Sequence, residues 1–240
     1  MRKNGFTLIE VFVAMTVGLI IMVAVYGYMS LVQKSSANID LKIVTQQDTR
    51  TVLDLMAMEI RMASYLPPPT NMNTWLTIPA CATMAGWGGG PQKIYKGIQV
   101  ATTNTILVAM DLNGDGVIGP QIGTNEYIMY SYDGNSTLTR NVGCAGNSVI
   151  LGGTATYTYS NVRNADPAVG VNLFRYFDSA NNEITATVSN NPSTVNGIPA
   201  IRRILITIVA DTADIDLNSK KPKRMVYSTS VVVRNHGFTF

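Results

Sequence analysis

The stretch Gly5-Phe6-Thr7-Leu8-Ile9-Glu10 opens an apolar run that continues to about Val32, behind a short basic head, Met1-Arg2-Lys3-Asn4. Within that run only Glu10 is ionised. About 20 apolar residues at roughly 1.5 Å each cross the hydrocarbon core of a bilayer, so the length suits a membrane. A charge inside such a span costs at least ~2.5 kcal/mol, so Glu10 calls for a partner and a task. A secretory signal peptide has a shorter apolar core followed by a small-x-small cleavage site, and none follows here. A plain transmembrane anchor needs neither Glu10 nor the Gly5-Phe6 junction.

With its basic leader, this hexapeptide resembles the class III signal of type IV prepilins and type II secretion pseudopilins. The resemblance implies cleavage between Gly5 and Phe6 by a prepilin peptidase, with N-methylation of Phe6. It also implies that Glu10 pairs with the N-terminal amine of a neighbouring subunit. The physics agrees, because opposite charges in an apolar medium are tolerable together and costly apart.

The 240 residues allow one anchored domain of moderate size with its own core. Only 14% are charged, and Ser, Thr, Asn and Gly are plentiful, as in a β domain with many turns. Removing Arg2 and Lys3 with a leader lowers the basic count from 18 to 16 against 15 acids. That near balance argues against general nucleic-acid affinity. The cysteines are Cys81 and Cys144. In a head exported from the cytoplasm they are expected to form a disulfide, closing a loop worth ~4 kcal/mol. Two separate thiols are the alternative.

From Phe6 to about Leu66 the pattern predicts one long helix, apolar all round at first and amphipathic after Gln33. Ile39, Ile43, Gln46, Arg50, Leu53, Ala57 and Ile60 recur at helical spacing, Val52, Leu55, Met56 and Ala63 widen the stripe toward the end, and Lys42, Asp48, Asp54, Glu59 and Arg61 lie on the other faces. Pro67-Pro68-Pro69 is the expected stop. Gly18 and Gly27 lie where many pilins carry a helix-bending proline, and they permit either local melting or close helix packing. Residues 67–97 read as loop. Strands are expected at 97–100, 105–110, 127–132, 136–140, 149–151, 155–159, 171–177, 183–188, 201–210 and 224–234, with Asp133-Gly134-Asn135 as a hairpin turn. The domain plan is a leader at 1–5, a membrane or filament-core helix at 6–33, an amphipathic helix at 34–66 and a β-rich head at 67–240. The fold class is α+β and pilin-like.

The head has one pointed motif, Asp111-Leu112-Asn113-Gly114-Asp115-Gly116. Oxygen side chains at alternate positions with glycine in sixth place match half of a calcium loop. Asp111, Asn113, Asp115 and the Val117 carbonyl would be ligands. The twelfth position is Ile122 rather than glutamate, so Glu126 would have to fold back as the substitute. The same run also reads as a metal-free turn. The basic run from Lys220 to Arg224 reads as a solvated loop, with phosphate binding as the rival. One histidine, His236, and no nucleophile motif leave catalysis without support.

Met56 to Ala63, Asp111 to Gly116, Tyr130 to Asp133, Leu138 to Arg140 and Ile201 to Ile204 are similar to PilW-type minor pilins. That resemblance implies a subunit of a minor-pilin complex that primes filament assembly near the tip. Its partners would be other pilins, the prepilin peptidase, an inner-membrane assembly platform and, before assembly, lipid. A J-type minor pseudopilin of type II secretion and a tip adhesin or DNA-uptake pilin are the alternatives. The location implied is the inner membrane with the head outside the cytoplasm, then a surface pilus or periplasmic pseudopilus.

Overall fold

The computed structural model describes residues 5, 7–67, 97–116, 118, 125–153, 160–190, 196–212, 215–216 and 219–237. Its first element, α1, is a 54-residue helix from Leu8 to Arg61. No side chain is buried between Leu8 and Val44. Burial begins at Thr45 and continues through Thr49, Val52, Leu53, Met56, Ala57, Glu59 and Ile60. The buried face follows the expected stripe from Val52 onward and departs from it before that. Leu53, Ala57 and Ile60 lie on it, while Ile39 and Ile43 stay 54% and 46% exposed. Arg50 is exposed, its guanidinium carbon 5.7 Å from the centre of the Tyr227 ring. Thr49 can be buried because its hydroxyl donates to the Thr45 carbonyl at 2.7 Å.

The helix stops before the prolines. Met62 caps it, with its N–H returning to the Glu59 carbonyl at 3.1 Å. Ser64 then takes a left-handed φ of 66° and donates its N–H to the Ala109 carbonyl at 3.0 Å. Gly97 (φ 75°) sits so close that a Cβ there would overlap the Ser64 backbone. Tertiary contact, not proline, ends the helix. Pro68 and Pro69 lie outside the described residues, as do the expected strand at 155–159 and most of the expected loop at 67–97.

The head is antiparallel. β1 (Ile98–Ala101), β2 (Thr105–Ala109), β3 (Tyr127–Tyr132), β4 (Thr137–Val142) and β5 (Asn147–Gly152) form a five-stranded meander in sequence order. The β3–β4 turn is closed by Asp133, whose Oδ1 accepts the N–H groups of Asn135, Ser136 and Thr137 at 2.8, 2.9 and 3.0 Å. A second sheet centres on β8 (Arg203–Thr212). One edge of β8 pairs along its length with β9 (Arg224–Val232). Its other edge is shared by β6 (Ser160–Val162) at one end and β7 (Phe174–Phe177) at the other. Residues 183–188, expected to be a strand, are mostly helical, as α2 (Thr185–Asn190). The Thr185 hydroxyl accepts the Tyr176 N–H at 3.0 Å, and Val188 turns inward instead of joining a ladder.

The packed end of α1 lies against β8, β9, β5 and β6. One core joins helix and sheets, with Met56, Ile60, Ile106, Phe174, Tyr176 and Ile204 all buried within it. Each such side chain contributes about 1.5–3 kcal/mol on burial.

Candidate functional site

At the start of α1, Thr7 has extended dihedrals (φ −79°, ψ 151°) and caps the helix. Its N–H and hydroxyl donate to Glu10 Oε2 at 2.9 and 2.8 Å, and its Oγ1 accepts the Glu10 N–H at 3.4 Å. This is a capping box, in which two orphan donors of the first turn are satisfied reciprocally. The carboxylate is thus held at the positive end of the helix dipole. No cation pairs with it among the described residues. Around it Ile9, Val11, Val13 and Val17 are at least half exposed, and the apolar surface continues to Val32. Such a patch is far beyond what a soluble monomer shows to water and suits contact with lipid or with like helices. A Cβ at Gly18 or Gly27 would meet nothing within 4 Å, which leaves room on the helix for another to approach.

The acidic loop follows β2. Asp111 is fully buried and donates its N–H to the Tyr65 carbonyl at 2.9 Å. Its carboxylate accepts from Gly114 N–H at 2.7 Å and Gly116 N–H at 3.0 Å. Both glycines adopt left-handed backbone, φ 76° and 75°, which the tight turn requires. Asp111, Asp115 and Glu126 each place a carboxylate oxygen within 4.8 Å of the others. Strand register brings Glu126 there. Ala109 pairs with Tyr127, and Met110 N–H bonds the Glu126 carbonyl, so Glu126 stands beside Asp111 across the ladder. Asn113 instead exchanges hydrogen bonds with Asp115, at 2.9 and 2.8 Å. Val117 lies outside the described residues.

Glu59, expected on an outer face of the helix, is buried at the helix–sheet seam. The Tyr130 hydroxyl donates to its Oε2, and Arg140 grips both oxygens, with Nε at 3.1 Å. Burial, and then the Glu59 charge, push the Tyr130 hydroxyl far above its usual range, so it stays a donor. Burial works against the Arg140 charge, but the hydrogen bonds and charge of Glu59, together with Tyr130, raise the Arg140 pKa above its ordinary range. A signal for this was present, since Glu59 lies three residues from Met56 and four from Ala63 on the buried face.

The basic loop is partly neutralised. Lys223 meets Asp216 at 3.0 Å, and Arg224 bonds Asp211 and Asp166 at 2.7 Å. His236 is buried between the Ser64 hydroxyl (3.0 Å) and the Ile198 carbonyl (2.8 Å). Cys144, at the β4–β5 turn, is not a free thiol. Cys81 lies outside the described residues.

Residues 1–26 match the family model of the prokaryotic N-terminal methylation motif. The chain carries the class III signal of type IV prepilins. No curated protein and no solved structure matches the chain. The motif supports a type IV pilin or pseudopilin, and so a structural subunit rather than an enzyme. It implies processing by a prepilin peptidase and assembly with other pilins. Together with the bare apolar helix it is consistent with membrane anchoring before assembly.

Proposed function

We propose that this chain is a minor pilin of a type IV pilus that helps to prime the filament near its tip. The observation that carries the reading is the uncovered apolar half of α1, whose one carboxylate has no cation beside it among the described residues. Removal of residues 1–5 would create the Phe6 amine, N-methylation would follow, and that amine would meet Glu10 of a neighbouring subunit. Residues 6–33 would sit in the inner membrane and then in the filament core. Residues 34–66 would carry the head, 67–240, outside the cytoplasm. A Cys81–Cys144 disulfide suits that compartment. The resemblance of the Met56–Ala63 segment and the head motifs to PilW-type subunits supports the minor role. Sheared filaments test this, since a minor subunit is scarce in them and a major one dominates. A chain found only in periplasmic pseudopili would favour the secretion reading.

A second reading concerns calcium. The Asp111, Asp115 and Glu126 cluster offers hard oxygen donors, the set that calcium prefers. A bound ion would fasten the loop after β2 to the start of β3. Calcium that raises the Tm of the full chain in detergent, with loss of the effect in Asp111→Asn, supports the site. A Tm indifferent to calcium and chelator removes it.

A further inference from the structure

The turn between β3 and β4 carries an asparagine side chain that the turn itself does not use. Asp133 supplies the carboxylate that accepts three of the turn's N–H groups, and Gly134 supplies a left-handed φ of 80°. The backbone is tied down on its inner side. The Ser136 carbonyl accepts the Val162 N–H at 2.9 Å, and the Tyr132 hydroxyl donates to the Asn135 carbonyl at 3.3 Å. The Asn135 side chain is exposed, and its amide makes no hydrogen bond to any described residue. Asn113, Asn181 and Asn182, also in loops, each bond theirs, to Asp115, Arg203 and Asp178. Neither geometry nor bonding within this chain therefore calls for asparagine at 135. The residues after it supply a reason. Asn135-Ser136-Thr137 is an Asn-x-Ser/Thr run, the acceptor pattern for an N-linked sugar. The other such run in the sequence, Asn191-Pro192-Ser193, has the middle proline that the pattern forbids.

We propose that Asn135 is an N-glycosylation site, with a sugar carried on a polyprenyl diphosphate as the donor. The Asn135 side-chain nitrogen attacks the anomeric carbon of that sugar. A nitrogen–carbon bond forms, and the bond from the anomeric carbon to the diphosphate oxygen breaks. The lipid diphosphate leaves with the electron pair, and one amide proton passes to a base of the transferase. A hairpin tip presents the amide away from the sheet, so a bulky polar group there displaces no core side chain. The inference rests on the prepilin reading, which puts the head outside the cytoplasm, where such a transfer takes place.

The test is the intact mass of the full chain recovered from the envelope of its own cells, with fragmentation of the peptide that contains residue 135. The expected result is a mass increment of at least one sugar, located on Asn135. Asn135→Gln loses the increment completely and keeps the wild-type Tm, because the turn is made by Asp133 and the backbone. Thr137→Ala loses it although Asn135 is still present, and Thr137→Ser retains it, since the pattern accepts either hydroxyl. A bare Asn135 in a chain that begins at Phe6 overturns the proposal and leaves the prepilin reading standing. An increment that survives Asn135→Gln also overturns it, because the sugar then sits elsewhere. A bare chain that still begins at Met1 overturns the prepilin reading, and the proposal with it.

Discussion

Helix α1 carries two glutamates in opposite situations. Glu10 is exposed on the bare half, held by its own helix cap and beside no cation among the described residues. Glu59 is buried on the packed half, gripped by Arg140 and Tyr130 of the sheet. The same residue type on one helix therefore has its counter-charge within the chain at one end. At the other end the described residues supply none, and on the proposed reading a neighbouring subunit would. No described residue of the head buries the apolar half of the helix, which on the proposed reading is half of an interface, whereas the packed half is covered within the chain.

The largest expected effect follows from removing the Glu10 charge, which on the proposed reading meets a neighbouring subunit. Glu10→Ala or Glu10→Val leaves leader cleavage intact but lowers incorporation into filaments at least ten-fold, measured by immunoblot of sheared filaments. Normal incorporation would erase the distinction between the two glutamates. Next is the intramolecular pair. Glu59→Ala strands Arg140 and costs about 3 kcal/mol in denaturant unfolding, at the low end for a broken buried pair because the Arg140 side chain is 23% exposed. The Glu59→Ala/Arg140→Ala double variant should lose less than the sum of the single losses. Additive losses would mean that the pair is not coupled. Gly97→Ala should cost about 2 kcal/mol, because it combines a left-handed backbone with overlap on Ser64. A neutral result there would mean that the helix end is not clamped by β1. The smallest effect is at Ile43. Ile43→Ser should change head stability by less than about 0.5 kcal/mol, since its side chain stays outside the packed face. A larger loss would extend the packed half toward the membrane.

Much of this was legible before any coordinates. The long helix, the β3–β4 hairpin at Asp133-Gly134 and the closing strands β8 and β9 follow from periodicity and turn chemistry. The helix end was misread because three prolines are a loud local signal, whereas Ser64 turns left-handed only when Ala109 and Gly97 are beside it. The packed face was misread for a similar reason. Isoleucines at 39 and 43 look like core, but the described part of the head does not bury them, while Thr45 and Thr49 are buried, the Thr49 hydroxyl donating to the Thr45 carbonyl. The 183–188 segment has strand-like composition, yet Thr185 bonds back to Tyr176 and a helical turn results. In the acidic loop, Asp111 and Asp115 were readable from spacing. Glu126, the expected substitute for the twelfth position, does come beside them, through strand register rather than through any local motif.

The most direct test of the central claim is the intact mass and N-terminal sequence of the chain recovered from cells that contain the prepilin peptidase. The prediction is a chain that begins at N-methylated Phe6, with residues 1–5 absent. A chain that still begins at Met1 would contradict it.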